Sequence, residues 1–145
     1  MTNAQVTWVQ DMQFVGMGDT GHAIVMDASK EGGGYGSGSS PMEVLLMGVL
    51  GCTAMDVISI LKKMRQPVQG LKIMATGERA TEHPKKYTQI HIEYVAYGAV
   101  DPVSLGRAVE LSETHYCGAM ATVRGTATIT NSTHVEPAIL QEPAA

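Results

Sequence analysis

This sequence has no excess of positive charge, few aromatic side chains and only two cysteines. Ten Lys and Arg residues against fourteen Asp and Glu residues give a net charge of −4, so no positive surface favours a nucleic acid or an anionic membrane as a partner. Aromatic residues make up 5% of the chain and offer no platform for stacking bases. Two cysteines do not form the framework of a secreted disulfide protein. The first twelve residues lack the basic and apolar regions of a signal peptide, and we therefore expect a soluble cytoplasmic protein.

What the sequence does contain is enough apolar material for one core. Of the 145 residues, 44% are hydrophobic, which predicts a single domain over residues 1–145. Loose alternation from Ala4 to Ala28, interrupted by turns at Gly16–Gly21, predicts two or three antiparallel strands joined by hairpins. The segment GGGYGSGSS (Gly32–Ser40) is typical of a connecting loop, and no Lys-Ser or Lys-Thr pair follows it as in a phosphate-binding loop.

A strong helix-start signal comes next. Ser40 is suited to cap the first amides, Pro41 to occupy the first helical position, and Glu43 to close a capping box. The predicted helix continues to just before Pro67 and has no charged residue between Val44 and Met55. A helix that is apolar on every side is buried on every side or lies in a membrane. Because Asp56 makes the uncharged run too short for a bilayer, we interpret it as a wrapped central helix.

The second half of the chain predicts two strands, a helix and a last strand. The strands are Gly70–Ala80 and Lys86–Tyr97, the second with a polar and an apolar side. Asp101 and Pro102 begin a helix that extends to about His115 or Tyr116, where Gly118 is suited to stop it. The last strand is predicted over Gly125–Thr130, before a tail rich in Pro, Glu and Ala. This order indicates an α+β fold with an antiparallel sheet and helices on one face.

The uncharged helix also predicts an oligomer. One sheet has a single inner face and cannot cover a helix that is apolar on all sides. A second sheet from another subunit would cover the remainder, so the composition favours an obligate homodimer.

The candidates for chemistry are Cys52, within the apolar helix, and Cys117, near the end of the second helix. They are either a pair of redox-active thiols or two small buried hydrophobic residues, and the residues alone leave both interpretations open. Asp56 lies one helical turn after Cys52, and a carboxylate there opposes thiolate formation. A supporting cation would have to come from elsewhere in the fold; the candidates are Arg65, Arg79, Arg107, Arg124, His115 and the lysines. The five histidines show no ligand spacing, and we expect no metal and no cofactor.

Two segments resemble one known family. GSGSSPMEVLLMGVLGCTAMDV, with its helical cysteine, and LSETHYCGAMATVRGTATI, with the second cysteine, are similar to the two cysteine motifs of the OsmC/Ohr family of osmotically induced and organic hydroperoxide resistance proteins. The likeness extends from about Gly32 to Thr130 and is closer to the less characterised OsmC-like members than to the hydroperoxide resistance branch.

The resemblance implies an intertwined homodimer, with antiparallel sheets packed around central cysteine-bearing helices and sites at the subunit interface. It implies reduction of organic hydroperoxides, with Cys52 as the peroxidatic thiol that becomes a sulfenic acid and Cys117 as the resolving thiol that closes a disulfide. An external dithiol would then reduce that disulfide. The motif pair also predicts that the Cα atoms of Cys52 and Cys117 lie within roughly 7 Å, or come that close after a small shift.

Two departures from the family pattern change the expected activity. The peroxidases of the family hold the thiolate with an arginine from the N-terminal strands, whereas no arginine precedes Arg65 here. They also have a glutamate directly after the helix-opening proline, where this chain has Met42 followed by Glu43. We therefore expect slow hydroperoxide reduction. The alternatives are a non-catalytic dimer that binds a small apolar or acyl ligand and a redox-responsive dimer without turnover.

Overall fold

A computed structural model describes residues 1–138 and has the α+β architecture predicted from the sequence. Contacts between Cα atoms divide the chain into two compact units, Met1–Met47 and the part from Gly48 onward. Each unit contains one three-stranded sheet. The part of the predicted tail beyond residue 138 lies outside the described residues.

The first unit contains the predicted antiparallel hairpins. Its strands are β1 (Ala4–Gln10), β2 (Gln13–Gly18) and β3 (Ala23–Met26), in the order β1-β2-β3. The first hairpin turns at Asp11, whose φ of 47° is tolerated by a short acidic side chain. The predicted turn at Gly16–Gly21 is wrong for Gly16 and Gly18, which belong to β2 because they pair with β1.

The glycine-rich loop of the first unit is organised around one carboxylate. Asp27 is buried and accepts hydrogen bonds from the backbone N–H groups of Ala28, Tyr35 and Ser37 and from the Ser37 hydroxyl. Position 34 requires glycine, because the Cβ atom of any other residue would collide with the carbonyl oxygen of Ala28. The loop amides therefore bind an internal anion, which agrees with the prediction of a connecting loop.

The main helix, α1, spans Pro41–Lys63 and begins with the predicted capping box. The Ser40 N–H donates to Glu43 Oε2 at 2.7 Å, and the Glu43 N–H donates to Ser40 Oγ at 3.4 Å. These two contacts satisfy amides that a helix start leaves without partners.

In the second unit, β4 (Val68–Arg79) and β5 (Tyr87–Gly98) form a long antiparallel pair. The apolar side predicted for β5 is confirmed, since its side chains are buried: Ile90, Ile92, Tyr94 and Ala96. Val95, on the side predicted to be polar, is buried as well. The last strand, β6 (Thr128–Glu136), pairs with β5 in parallel, so the expectation of a purely antiparallel sheet was wrong for this strand. Parallel neighbours need a long crossover, and the helices between β5 and β6 supply it.

That crossover differs from the single predicted helix. It contains α2 (Pro102–Leu111), a π-helical turn over Ser112–Tyr116, and α3 (Gly118–Arg124). Asp101 caps α2 as predicted, accepting from the Ser104 N–H at 2.9 Å. Gly118 begins α3 instead of ending the previous helix. The sequence hides this start because the capping residue is Cys117, which is not one of the usual capping types.

Helix α1 buries only one side within the single chain. Val49, Thr53, Val57 and Leu61 are buried, whereas Leu45, Met47 and Met55 are exposed, Met55 by 77%. The prediction of burial on every side is therefore not met by one copy. By length and mean hydropathy (2.2) α1 could cross a membrane, a test that the core helix of a soluble protein also passes, and its buried side carries the polar Thr53.

The loop around Asp27 predicts a dependence of stability on pH. The hydroxyl of Ser37 is the main reason that the pKa of Asp27 lies below its usual value. A carboxyl whose pKa is lower in the folded state than in the unfolded state stabilises the protein at pH values above the unfolded-state pKa of about 4. This contribution to the free energy of unfolding is lost as the pH falls through the folded-state pKa. We expect Asp27→Asn to lose less unfolding free energy than the wild type between about pH 5 and pH 2 in urea titrations.

The Ser37→Ala variant is the matched comparison, because it keeps the carboxyl and removes its main donor. Its pH-dependent loss should fall between those of the wild type and Asp27→Asn. Equal losses in all three proteins would contradict the role assigned to Asp27.

Candidate functional site

The two cysteines meet in the second unit, together with a carboxylate. The Sγ atoms of Cys52 and Cys117 and a carboxylate oxygen of Asp56 all lie within 4.8 Å of one another. Both thiols are free. The structure thus brings together residues that are far apart in the sequence.

Helix α1 presents Cys52 and Asp56 on one face. Their spacing of four residues places them one turn apart, as the sequence analysis expected. Cys52 and Asp56 are half-buried, and the intervening Thr53 is fully buried.

The π-helical turn brings Cys117 to this face. The Cys117 N–H donates to the Ser112 carbonyl oxygen at 2.9 Å, a bond that spans five residues and widens the turn. The Ser112 hydroxyl in turn donates to Asp56 Oδ2 at 3.0 Å. Cys117 is 3% exposed, and its Sγ accepts from the Met120 N–H at 3.3 Å.

The electrostatic surroundings of Cys117 oppose its ionisation. The pKa of the Cys117 thiol is raised to about 11, mainly by burial, with the neighbouring Cys52 thiol and the Asp56 carboxylate acting in the same direction. The hydrogen bond from Met120 lowers the pKa but does not outweigh burial. In the resting protein Cys117 is therefore a protonated thiol.

Several cations proposed from the sequence have other partners. Arg79 donates to the Lys85 carbonyl oxygen at 2.7 Å, and Arg107 forms a surface ion pair with Glu110. The ring of His115 is exposed and is hydrogen-bonded to Thr114. Lys63 is the cation that lies in the same cavity as Asp56.

That cavity has a volume of about 300 Å³ and extends from Asp56 along the end of α1. Its walls are mostly apolar and include Ile60, Leu111 and Tyr116, with Lys63 as a charged group. Within the thiol cluster, Asp56 lines this cavity, whose volume is sufficient for a small organic molecule.

A buried hydroxyl network behind the thiols was not predicted. Thr53 Oγ1 lies 2.8 Å from Ser112 Oγ and 3.0 Å from the Tyr94 hydroxyl, which donates to Glu113 Oε1 at 3.0 Å. Thr53, Tyr94 and Ser112 are completely buried. Two features of the sequence could have predicted this network: a hydroxyl residue within an apolar helix and a tyrosine on the apolar side of β5. Both hydroxyls would be buried, and a buried hydroxyl needs a hydrogen-bond partner.

The histidines do not contribute to this cluster as ligands. His91 lies on β5 between Thr130 and Ser132, with nitrogen–oxygen distances of 2.8 and 3.3 Å. The cluster of two sulfurs and one carboxylate has one ligand fewer than a structural zinc site and the same number as a catalytic one. Its two free thiols are the groups available for redox chemistry.

Comparison with known proteins defines the class. The sequence matches the family described as OsmC-like protein over residues 34–132. It is 37% identical to protein YhfA of Escherichia coli K12, over 91% of this chain and 96% of YhfA. The chain belongs to the OsmC-like family.

Solved structures share the fold. A hypothetical protein from Aquifex aeolicus superposes with a TM-score of 0.85 and 32% identity, over 96% of this chain and 98% of the other. An organic hydroperoxide resistance protein OsmC from Legionella pneumophila superposes with a TM-score of 0.68 and 14% identity, over 93% and 97% of the two chains. At that identity the second comparison establishes the fold alone.

The two thiols should differ in the rate at which they are alkylated. A thiol of pKa about 11 is only about 0.1% ionised at pH 8, and Cys117 is also buried. We expect iodoacetamide to modify Cys117 at least about tenfold more slowly than Cys52 in the folded, reduced protein. Peptide mass spectrometry of a time course measures both rates.

The single-thiol variants Cys52→Ser and Cys117→Ser separate each rate from transfer between the two sulfurs. In urea the two rates should converge, because unfolding removes the burial. Equal rates in the folded protein would contradict the assigned difference.

Proposed function

We propose that this protein is a thiol peroxidase that reduces organic hydroperoxides as part of the defence against oxidative stress. The observation that carries the proposal is the pair of free thiols whose sulfurs lie within 4.8 Å of each other. Membership of the OsmC-like family supports it, as does the fold shared with the hydroperoxide resistance protein from Legionella pneumophila.

In the first step, Cys52 acts as the peroxidatic thiol. Its sulfur attacks the distal oxygen of the hydroperoxide, an S–O bond forms, and the O–O bond breaks. The sulfur loses two electrons to the peroxide, and the thiol proton ends on the departing alkoxide, giving a sulfenic acid and an alcohol. Cys52 suits this role because it is half-buried, whereas Cys117 is almost fully covered.

In the second step, Cys117 acts as the resolving thiol. Its sulfur attacks the sulfur of the Cys52 sulfenic acid, an S–S bond forms, and hydroxide leaves with the thiol proton as water. A dithiol reductant then supplies two electrons and two protons to restore both thiols. The raised pKa of Cys117 keeps the resolving thiol protonated in the reduced protein.

The expected substrate is a small apolar hydroperoxide and the expected rate is low. The apolar walls of the cavity beside Asp56 favour an alkyl or aryl group over hydrogen peroxide. The group within 4.8 Å of the thiols is a carboxylate, and such a neighbour does not stabilise a thiolate. No cofactor or metal takes part in the proposed cycle.

We also propose a cytoplasmic homodimer of one OsmC-like domain per chain. The family match crosses the boundary between the two units, which supports one domain. The exposed apolar side chains of α1 are the surface that a second copy would cover. The net charge of −4 favours neither a nucleic acid nor an anionic membrane as a partner.

Replacement of either thiol should separate the two steps. In stopped-flow experiments with cumene hydroperoxide, Cys52→Ser should lose reduction completely, because no sulfenic acid can form. Cys117→Ser should still complete one oxidation but stop at the sulfenic acid, detected by mass spectrometry with dimedone. A Cys52→Ser variant as active as the wild type would overturn the proposal.

A second candidate function is non-catalytic binding of a small apolar ligand. It is favoured by a cavity of about 420 Å³ in the first unit, lined by Val6, Met12, Phe14 and Met26 among others. If the protein only binds a ligand, the Cys52→Ser variant should still bind it, and the wild-type protein should reduce no hydroperoxide. The same set of variants therefore distinguishes the two functions.

The homodimer can be tested at Met55. This side chain is 77% exposed in the single chain, so Met55→Glu should fold normally yet place an unpaired charge in the proposed interface. We expect light scattering to show a dimer for the wild type and a monomer for this variant. Val103→Glu, which changes a 79% exposed residue of α2, is the control and should remain dimeric. A monomeric wild-type protein would contradict the dimer.

A further inference from the structure

The hydroxyl network forms an unbroken path between two carboxyl groups. It starts at Asp56 beside the thiols, passes through the hydroxyls of Ser112, Thr53 and Tyr94, and ends at Glu113. The four oxygen–oxygen distances along it are 3.0, 2.8, 3.0 and 3.0 Å, all within hydrogen-bonding range.

The far end of this path reaches the surface. Glu113 is half-buried, and its Oε2 accepts from the Nδ2 of Asn131 at 2.9 Å. Asn131 is exposed on β6. A proton that arrives at Glu113 is therefore close to solvent, whereas the three hydroxyls between the carboxyls are completely buried.

A count of hydrogens indicates what the path can do. Three hydroxyls supply three hydrogens, and there are four oxygen–oxygen contacts, so a complete set of hydrogen bonds requires one additional hydrogen. A carboxyl proton on either Asp56 or Glu113 supplies it. With the proton on Asp56, every hydroxyl donates toward Glu113; one hop along each bond moves the proton to Glu113 and reverses all of the donors.

We propose that the path from Asp56 through Ser112, Thr53 and Tyr94 to Glu113 is a proton relay, in which Asp56 exchanges protons with the thiols and the hydroxyls carry them to and from the surface. The proposal deepens the thiol function above and rests on it for its role in peroxide reduction. The three hydroxyl residues and Glu113 act through Asp56 as positioning residues.

The relay assigns a chemical role to Asp56, the acidic neighbour of the thiols. A carboxylate beside a thiol opposes ionisation by its charge but can accept the thiol proton, after which it is neutral. In peroxide reduction, protonated Asp56 returns that proton to the alkoxide leaving from the O–O bond. In disulfide formation, it takes the proton of Cys117 and returns it to the hydroxide leaving Cys52.

The test uses a reaction in which the thiol proton must leave the site. Methyl methanethiosulfonate converts a thiol to a methyl disulfide: an S–S bond forms, the S–S bond of the reagent breaks, sulfinate leaves, and the thiol proton is released. Rapid-quench mass spectrometry of Cys52 in a Cys117→Ser background follows this step without any hydroperoxide. Serine at 117 keeps an oxygen in place of the sulfur that caps α3.

Two variants interrupt the relay at different places. Tyr94→Phe removes the hydroxyl next to Glu113 and keeps the ring, and Glu113→Gln replaces the terminal carboxyl by an amide that cannot carry the proton. Tyr97→Phe on the same strand is the matched control, because Tyr97 lies outside the path. Circular dichroism and thermal unfolding verify that each variant is folded.

We expect Tyr94→Phe and Glu113→Gln each to slow the modification of Cys52 at least about tenfold at low buffer concentration. This is less than the roughly 100-fold or more that a direct proton-transfer group contributes, because both residues act through Asp56. Imidazole should restore the rate, because the cavity beside Asp56 admits a small buffer molecule that replaces the relay. Tyr97→Phe should react like the parent protein and show no dependence on imidazole.

Rates equal to that of the parent would overturn the relay. A slow rate that imidazole does not restore would also overturn it, because it would indicate a purely structural role. Cumene hydroperoxide is tested separately: a wild-type protein that does not reduce it, while the buffer dependence above is observed, would refute the proposed function and leave the relay standing.

Discussion

The geometry of the thiol site depends on one buried hydroxyl. Thr53 Oγ1 lies between the hydroxyls of Tyr94 and Ser112, so a single atom ties α1 to β5 and to the π-helical turn. Thr53 directly follows Cys52, and the carbonyl of Ser112 accepts from the Cys117 N–H. Fixing Thr53 against Ser112 therefore also fixes Cys52 against Cys117. Disulfide chemistry tolerates little error in such a distance.

This arrangement has an energetic cost that the network offsets. A hydroxyl buried without a partner would cost about 1–3 kcal/mol, and this core contains three buried hydroxyls, those of Thr53, Tyr94 and Ser112. Among residues 1–138, every buried side-chain nitrogen or oxygen has a hydrogen-bond partner. Because the partners of Thr53 come from a strand and a turn, removal of one member leaves another unpaired, and the network tolerates only one relative placement of α1, β5 and the turn.

The same network explains the unusual surroundings of the thiols. A fast peroxidatic cysteine is expected beside a cation that stabilises its thiolate. Here a carboxylate occupies that position, held by the Ser112 hydroxyl at 3.0 Å. Such a group is suited to moving a proton rather than to stabilising an anion, and its link to the hydroxyl path is consistent with that difference.

Local signals in the sequence determined where much of the secondary structure begins and which strand side is apolar. The capping box at Ser40 and Glu43, the Asp101 cap and the alternation in β5 act between near neighbours in the chain, and all three were predicted correctly. The proximity of Cys52 and Cys117 was expected only because the two motifs resemble a family, since no local rule connects residues so far apart. The direction of β6, the start of α3 and the hydroxyl path from Thr53 to Glu113 were decided by the tertiary structure alone. Each depends on contacts between segments that are distant in the sequence. Neighbouring residues in the chain do not determine which polar groups will be in contact in the folded core.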